Sequence, residues 1–316
     1  MPRVSIGLGL GSFPFDTMAG FWRWVDLCEE GGIDSLWQSD RIVGPEPVLE
    51  SLTLMAALAG RTQRLKFGMN VVSLAFREPV LLAKQCATID MLSAGRLLPA
   101  FGIGSPIAPE WSALNVDPKT RGAKADEALE IIRRLWAGET VTFEGKHFRV
   151  KEACIVPRPV QAELPLWIGG SSDAAIRRTA RFGTGWQSTI ETPQEIAPLI
   201  AKIRAAAGQA GRAIDEGHYG AGIPFHLGSP DDPGVTDTMA LYKRLGGGGD
   251  FRERVAVGDV RTLAERLAAY VTAGATKFIL RPMVRGDTAI LAQTKRLIAE
   301  LLPAVASQYG CASPPG

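Results

Sequence analysis

Apolar and polar positions alternate between two periods from one end of this chain to the other. Short apolar runs bounded by Gly, Ser and Asn read as buried strands, and stretches with apolar residues three and four apart read as amphipathic helices. The strands fall at 4–10, 35–38, 65–72, a segment running into Gly102, 166–168, 185–188, 217–223 and 277–280. Helices fall between and after them, at 18–30, 48–61, 79–92, 121–136, 173–182, 194–208, 260–273 and 288–305. Segment 64–104 shows the repeating unit most plainly: a strand, a loop, a helix opened by Pro79, a tight turn at Ser93-Ala94-Gly95, and a second strand. Two strands joined through a helix are parallel, with a right-handed crossover. Ligands of such folds gather at the C-terminal strand ends, which here are small or polar: Asn70, Ser73, Gly102, Gly104 and Ser105.

Eight strand–helix pairs predict an α/β fold, a TIM (β/α)8 barrel with insertions after strands four and seven. One domain over residues 1–310 is expected, with a disordered tail at 311–316. A doubly wound dinucleotide fold fits less well. Gly7-Leu8-Gly9-Leu10-Gly11 lies too early in its strand, and Ser12-Phe13-Pro14 stands where a helix must begin. A hairpin at 142–150 turns at Glu144-Gly145. The stretch 224–249 is the least regular, with a helix at 235–244 and a glycine run at 246–249 that reads as a mobile lid. Pro99 is a misfit inside the fourth strand, because proline cannot donate to a ladder; that strand is distorted or starts late.

Composition narrows the function classes. With 46% apolar residues in 316, a large core forms without disulfides. Net charge is +2 with no dense basic cluster, which argues against nucleic acid. Cys28, Cys86, Cys154 and Cys311 are scattered and read as reduced thiols of a cytoplasmic protein. No apolar run approaches a membrane span, and no charged segment precedes one, so neither a membrane partner nor a signal peptide is expected. No HExxH or carboxylate pair at ligand spacing appears, so no metal is expected.

Several motifs occur in a telling order: SLWQSD, RLKFGMNVVSL, EPVLLAKQCATIDMLSAGRL and GIG, then TRGAKADEALEIIRRLWAGETVTFEGKHF, PLWIGGSSDAAIRRTARFGTGW and VGDVRTLAERLAAYVTAGATKFILRP. Together they resemble the bacterial luciferase-like flavin and deazaflavin oxidoreductases over most of the chain, most weakly over 214–253. The resemblance implies a (β/α)8 barrel, a homodimer, and FMN or the deazaflavin coenzyme F420 at the C-terminal mouth, with F420 slightly favoured. It implies hydride transfer between that cofactor and a small-molecule substrate. A monooxygenase using reduced FMN and oxygen is the alternative, as is a non-catalytic flavin-binding protein. It also implies a non-prolyl cis peptide at Asn70–Val71, beneath the cofactor ring.

Site residues follow partly from chemistry and partly from that resemblance. Gly169-Gly170-Ser171-Ser172 leads into a helix, where N–H groups attract phosphate; the alternative is an ordinary N-cap. Gly102, Gly104 and Ser105 leave room for a ring or phosphate near the backbone, or form a plain turn. Arg121, in the family helix pattern with Asp126 and Glu127, reaches the cofactor or begins a solvated helix. Arg281 faces the mouth by position, or makes a surface ion pair. Many deazaflavin-dependent members have Ser-Asp-His where this chain has Ser39-Asp40-Arg41. Arginine stays protonated and is a poor acid or base, so Arg41 suits an anionic substrate or a charged ring. Asp40 holds the ring edge or pairs with Arg41. His226, after the seventh strand, is the remaining catalytic candidate.

Overall fold

The computed structural model describes residues 3–244 and 250–310. Its strands are β1 (Ser5–Leu10), β2 (Ser35–Gln38), β3 (Lys66–Met69), β4 (Val72–Ser73), β5 (Leu97–Leu98), β6 (Ala100–Gly102), β7 (Val141–Glu144), β8 (Arg149–Ala153), β9 (Trp167–Gly169), β10 (Gly185–Gln187), β11 (Tyr219–Leu227), β12 (Ala256–Gly258) and β13 (Lys277–Pro282). The α-helices are α1 (Met18–Glu30), α2 (Ser51–Arg61), α3 (Pro79–Leu92), α4 (Glu110–Ala113), α5 (Arg121–Trp136), α6 (Asp173–Phe182), α7 (Pro193–Gln209), α8 (Pro233–Arg244), α9 (Val260–Thr272), α10 (Asp287–Arg296) and α11 (Leu302–Tyr309). Each sequence-predicted strand and helix has a counterpart.

The differences have local causes. Helix α2 starts at Ser51 rather than 48, because the Glu50 carboxylate caps it by accepting from the Thr53 N–H. The third predicted strand is split: β3 ends at Met69, the Asn70–Val71 peptide is cis, and β4 begins at Val72. The fourth is split at Pro99. Leu97–Leu98 pairs with β3, while Ala100–Gly102 pairs with β4 and β9. Pro99 sits at the changeover and only has to accept, which its carbonyl does from the Trp167 N–H at 3.0 Å. The seventh strand runs on to Leu227, so His226 lies within it rather than after it. Residues 256–258 add a short strand beside β11. The last predicted helix breaks into α10, a π-helical turn at Leu297–Leu301, and α11; Pro303 offers no N–H to continue the regular ladder. The glycine run 246–249 and the tail 311–316 lie outside the described residues.

The chain divides into two compact units. The first comprises Met1–Trp37, Gln187–Lys202 and Asp215–Gly316. In it β13 lies parallel between β1 and β11, and β12 extends the β11 side. Bulky residues of β11 (Tyr219, Ile223, Phe225) alternate with Gly220, Gly222, Pro224 and His226, so one face is bulky and the other carries mostly smaller residues, all of them buried. The second unit comprises Gln38–Trp186 and Ile203–Ile214. Here β3 pairs with β5, and β4, β6 and β9 form a parallel run. Helix α3 packs on α2 and α5, and α5 on α6, over a core that includes Phe67, Phe101 and Trp167.

Candidate active site

In the second unit, β9 ends in Gly169 and turns through Gly170 at φ +111°, a conformation that favours glycine. The Gly170 carbonyl accepts from the Trp186 indole N–H at 2.8 Å, which fixes the turn. The Ser172 hydroxyl caps α6 by accepting from the Ala175 N–H. Against this turn lies a cavity of about 140 Å³, lined by Gly169, Gly170, Ser171 and Ser172, by Gly102 and Ile103, and by apolar side chains including Leu74, Phe101 and Leu129. Space of that size holds a benzene-sized group. Arg178 also lines it, but its guanidinium already grips Asp126 at 2.6 and 3.2 Å.

Val71 explains two of the neighbouring glycines. A Cβ on Gly102 would stand 2.7 Å from Val71 Cγ2, and one on Gly169 would stand 2.9 Å from Val71 Cγ1. Both glycines therefore make a seat for the side chain that follows the cis bond. Gly104, at φ +79°, would press a Cβ to 2.7 Å from the Ser73 hydroxyl. The Ser105 carbonyl accepts from the Trp111 indole at 2.8 Å, so the loop after β6 is held down by an aromatic side chain. Arg121 donates to the Pro118 carbonyl, and its Nε is buried without a partner. It is not part of the cavity wall.

Asp40 does not pair with Arg41. Its buried carboxylate accepts from Arg77 at 2.6 Å, from the Ser51 hydroxyl at 3.0 Å and from the Ser73 N–H at 3.2 Å. Arg77 also meets Glu50 at 3.1 Å. Arg41 is exposed and lies 3.8 Å from the buried Glu110, whose other oxygen takes the Ile42 N–H. Successive residues leaving a strand point opposite ways, so Asp40 turns in and Arg41 turns out.

In the first unit, His226 is buried. Its Nε2 lies 2.6 Å from Asp232, and its Nδ1 has no partner. Arg281 leaves β13 across two glycines and donates to the Thr189 carbonyl at 3.0 Å.

Sequence reasoning missed Arg77, Arg178 and a pair of glutamines. Trp37-Gln38-Ser39 closes β2 and Trp186-Gln187-Ser188 closes β10; the repeated tripeptide was the available signal. Each glutamine donates its amide N–H to the carbonyl of the serine after it, at 3.0 and 3.2 Å, and each Oε1 is buried without a donor. Ser73 and Ser188 hydroxyls share that state. Such atoms are uncommon in folded proteins, and here they sit at the C-terminal ends of parallel strands. In the second unit, the glycine–serine turn with the orphaned Gln38 Oε1 and Ser73 hydroxyl fits a polar cofactor bearing a phosphate.

Comparison with known proteins gives the class. The monooxygenase RslO1 of Streptomyces bottropensis superposes with a TM-score of 0.83 at 20% identity, covering 95% of this chain and 99% of that one. An F420-dependent secondary alcohol dehydrogenase, in complex with an F420–acetone adduct, also gives 0.83, at 18% identity, covering 96% and 99%. These likenesses show the fold, the α/β barrel of luciferase-like enzymes. The luciferase-like monooxygenase family profile matches residues 2–277, and the chain belongs to that family. The F420-dependent glucose-6-phosphate dehydrogenase of Microbacterium testaceum is 33% identical over 204 residues, 60% of this chain and 59% of its own length.

Proposed function

We propose that this protein is a cytoplasmic oxidoreductase that moves hydride between coenzyme F420, or alternatively FMN, and a small organic substrate, acting as a homodimer. The observation that carries the reading is the cavity against Gly169-Gly170-Ser171-Ser172, roofed by a capped helix and walled by the loop after β6. When bound, the cofactor ring supplies the hydride donor or acceptor. The chain's own residues do the rest. The glycine–serine turn, with Gly104, Ser105 and Arg121 as further holders, receives the phosphate. Asn70 and Val71, joined by the cis peptide, would support the ring. Asp40, already engaged by three donors, fixes the Ser73 segment rather than moving a proton. Arg41 and His226 act on the substrate, the first as a cation and the second through its free Nδ1.

Two facts favour the deazaflavin. Relatives near one-third identity carry F420 in their names. The only arginine on the cavity wall, among the described residues, is matched by Asp126, which suits the singly charged phosphodiester of F420 better than the nearly doubly charged phosphomonoester of FMN. Oxygen-dependent chemistry on reduced FMN is the second reading, favoured by the family profile itself. Titrating the purified protein with each cofactor and following fluorescence quenching tests the proposal. Saturable quenching of F420 is expected; tight FMN binding with no F420 response sinks the preference, and binding of neither sinks the function.

A further inference from the structure

Arg281 has a setting that the cofactor reading does not use. Register places it beside Pro224 of β11, on the same face as Gly222 and Gly9. A Cβ at Gly222 would come 2.5 Å from Arg281 Nη2, and one at Gly9 would come 3.2 Å from its Cγ. Gly222 thus leaves space for the guanidinium, while Gly9 makes room first for Ile279 Cγ2 at 2.6 Å and then for the aliphatic stem of Arg281. That guanidinium is permanently charged, yet its only hydrogen bond among the described residues goes to a neutral carbonyl, that of Thr189, and no carboxylate pairs with it. Its Nε is buried and unpartnered. The residue before Thr189 is Ser188, 3% exposed, whose hydroxyl is unpartnered as well. The half-buried Arg281 cation has no counterion among the described residues, and a buried hydroxyl that can donate lies one residue along the chain from the carbonyl it holds, so the two together offer charge and donors to an anion.

We propose that Arg281 and Ser188 form an anion subsite in the first unit, which takes the carboxylate or phosphate group of a small organic ligand. The planar guanidinium offers Nε and an Nη to two oxygens of the anion, and the serine hydroxyl offers a further hydrogen bond.

Arginine Nε–H resonances report on the site directly, and that of Arg281 is the signal missing from R281K. Inorganic phosphate and acetate are titrated separately into the whole protein. A saturable shift of this resonance is expected with at least one of them, and the stronger of the two arms tells phosphate from carboxylate. Ser188→Ala weakens that binding by roughly three- to tenfold, the worth of one charge-assisted hydrogen bond. An Arg281 resonance that ignores both anions, or that moves equally with chloride, overturns the subsite. In a parallel arm, R281Q is titrated with F420 and FMN. Quenching equal to that of the unmodified protein is expected, and a roughly tenfold or greater loss would instead assign Arg281 to the cofactor and overturn the proposal. Failure of the unmodified protein to bind either cofactor would sink the oxidoreductase reading while the anion titration still stands by itself.

Discussion

The Arg77 guanidinium closes on the Asp40 carboxylate at 2.6 Å, with the carboxylate buried and the arginine nearly so. The pair ties the end of β2 to the loop ahead of α3, and Asp40 also holds the Ser73 N–H at the end of β4. Removing Arg77 leaves the buried Asp40 carboxylate without its cation, which typically costs about 3–5 kcal/mol, whereas Arg77 keeps Glu50 when Asp40 is replaced and the cost is smaller. Arg77→Met is therefore expected to lower the urea midpoint substantially, Asp40→Asn to lower it less, and both to weaken cofactor quenching. Were Asp40→Asn to keep full stability and lose only turnover, Asp40 would be a proton-transfer group instead.

Val71 and the two glycines beneath it form a second testable relationship. Gly102→Ala forces its new methyl against Val71, a crowding expected to cost about 1–3 kcal/mol. Val71→Ala removes the obstructing methyls. The double variant should then be more stable than the sum of the two single changes, by roughly 1 kcal/mol or more in a denaturation cycle. Strict additivity would mean that the backbone, not Val71, sets the cost.

The cysteines differ sharply in environment. Burial pushes the Cys86 thiol up to about 12, and Cys28 is also buried, whereas Cys154 is exposed. Native protein treated with iodoacetamide near pH 8 should be modified at Cys154 and spared at Cys28 and Cys86, with all three labelled in denaturant. Peptide mapping reads the outcome; rapid native labelling of Cys86 would contradict the packing around it.

Acid sensitivity has a definite source in Glu195. The Arg254 side chain, then the Thr192 N–H, hold its carboxyl down to about 2 from an ordinary 4.5. A depressed carboxylate contributes stability above its unfolded value and loses it as pH falls through the folded one. The contribution is thus present above pH 4.5 and fades towards about 2. Glu195→Gln should flatten the stability–pH curve in that window and leave the slope near neutrality alone. The carboxylate is nearly half exposed, so the effect is modest and shrinks in salt.

Much of the fold was legible because strand and helix periods in this chain are clean and end in capping residues such as Ser172 and Asp259. The breaks at Asn70 and Pro99 were legible as anomalies, and their shared cause appeared only once β3–β5 and β4–β6 pairing was seen. The site was less legible. Asp40-Arg41 invites pairing by adjacency, yet neighbours leaving a strand diverge, and the true partner lies 37 residues on. Gly102 and Gly169 line the cavity, and sequence could not show that each also seats a Val71 methyl. Arg281 was legible as a strand-end cation, but its missing counterion is a fact about its surroundings.

Gln38 and Gln187 carry a chemical rule in their side chains. A serine carbonyl can only accept, so each amide nitrogen is committed to it and cannot turn away without orphaning both groups. What remains unpartnered on each side chain is a buried oxygen. A ligand group that reaches either of these oxygens must bring its own N–H or O–H. At those two oxygens the chain can only accept a hydrogen bond, and never donate one.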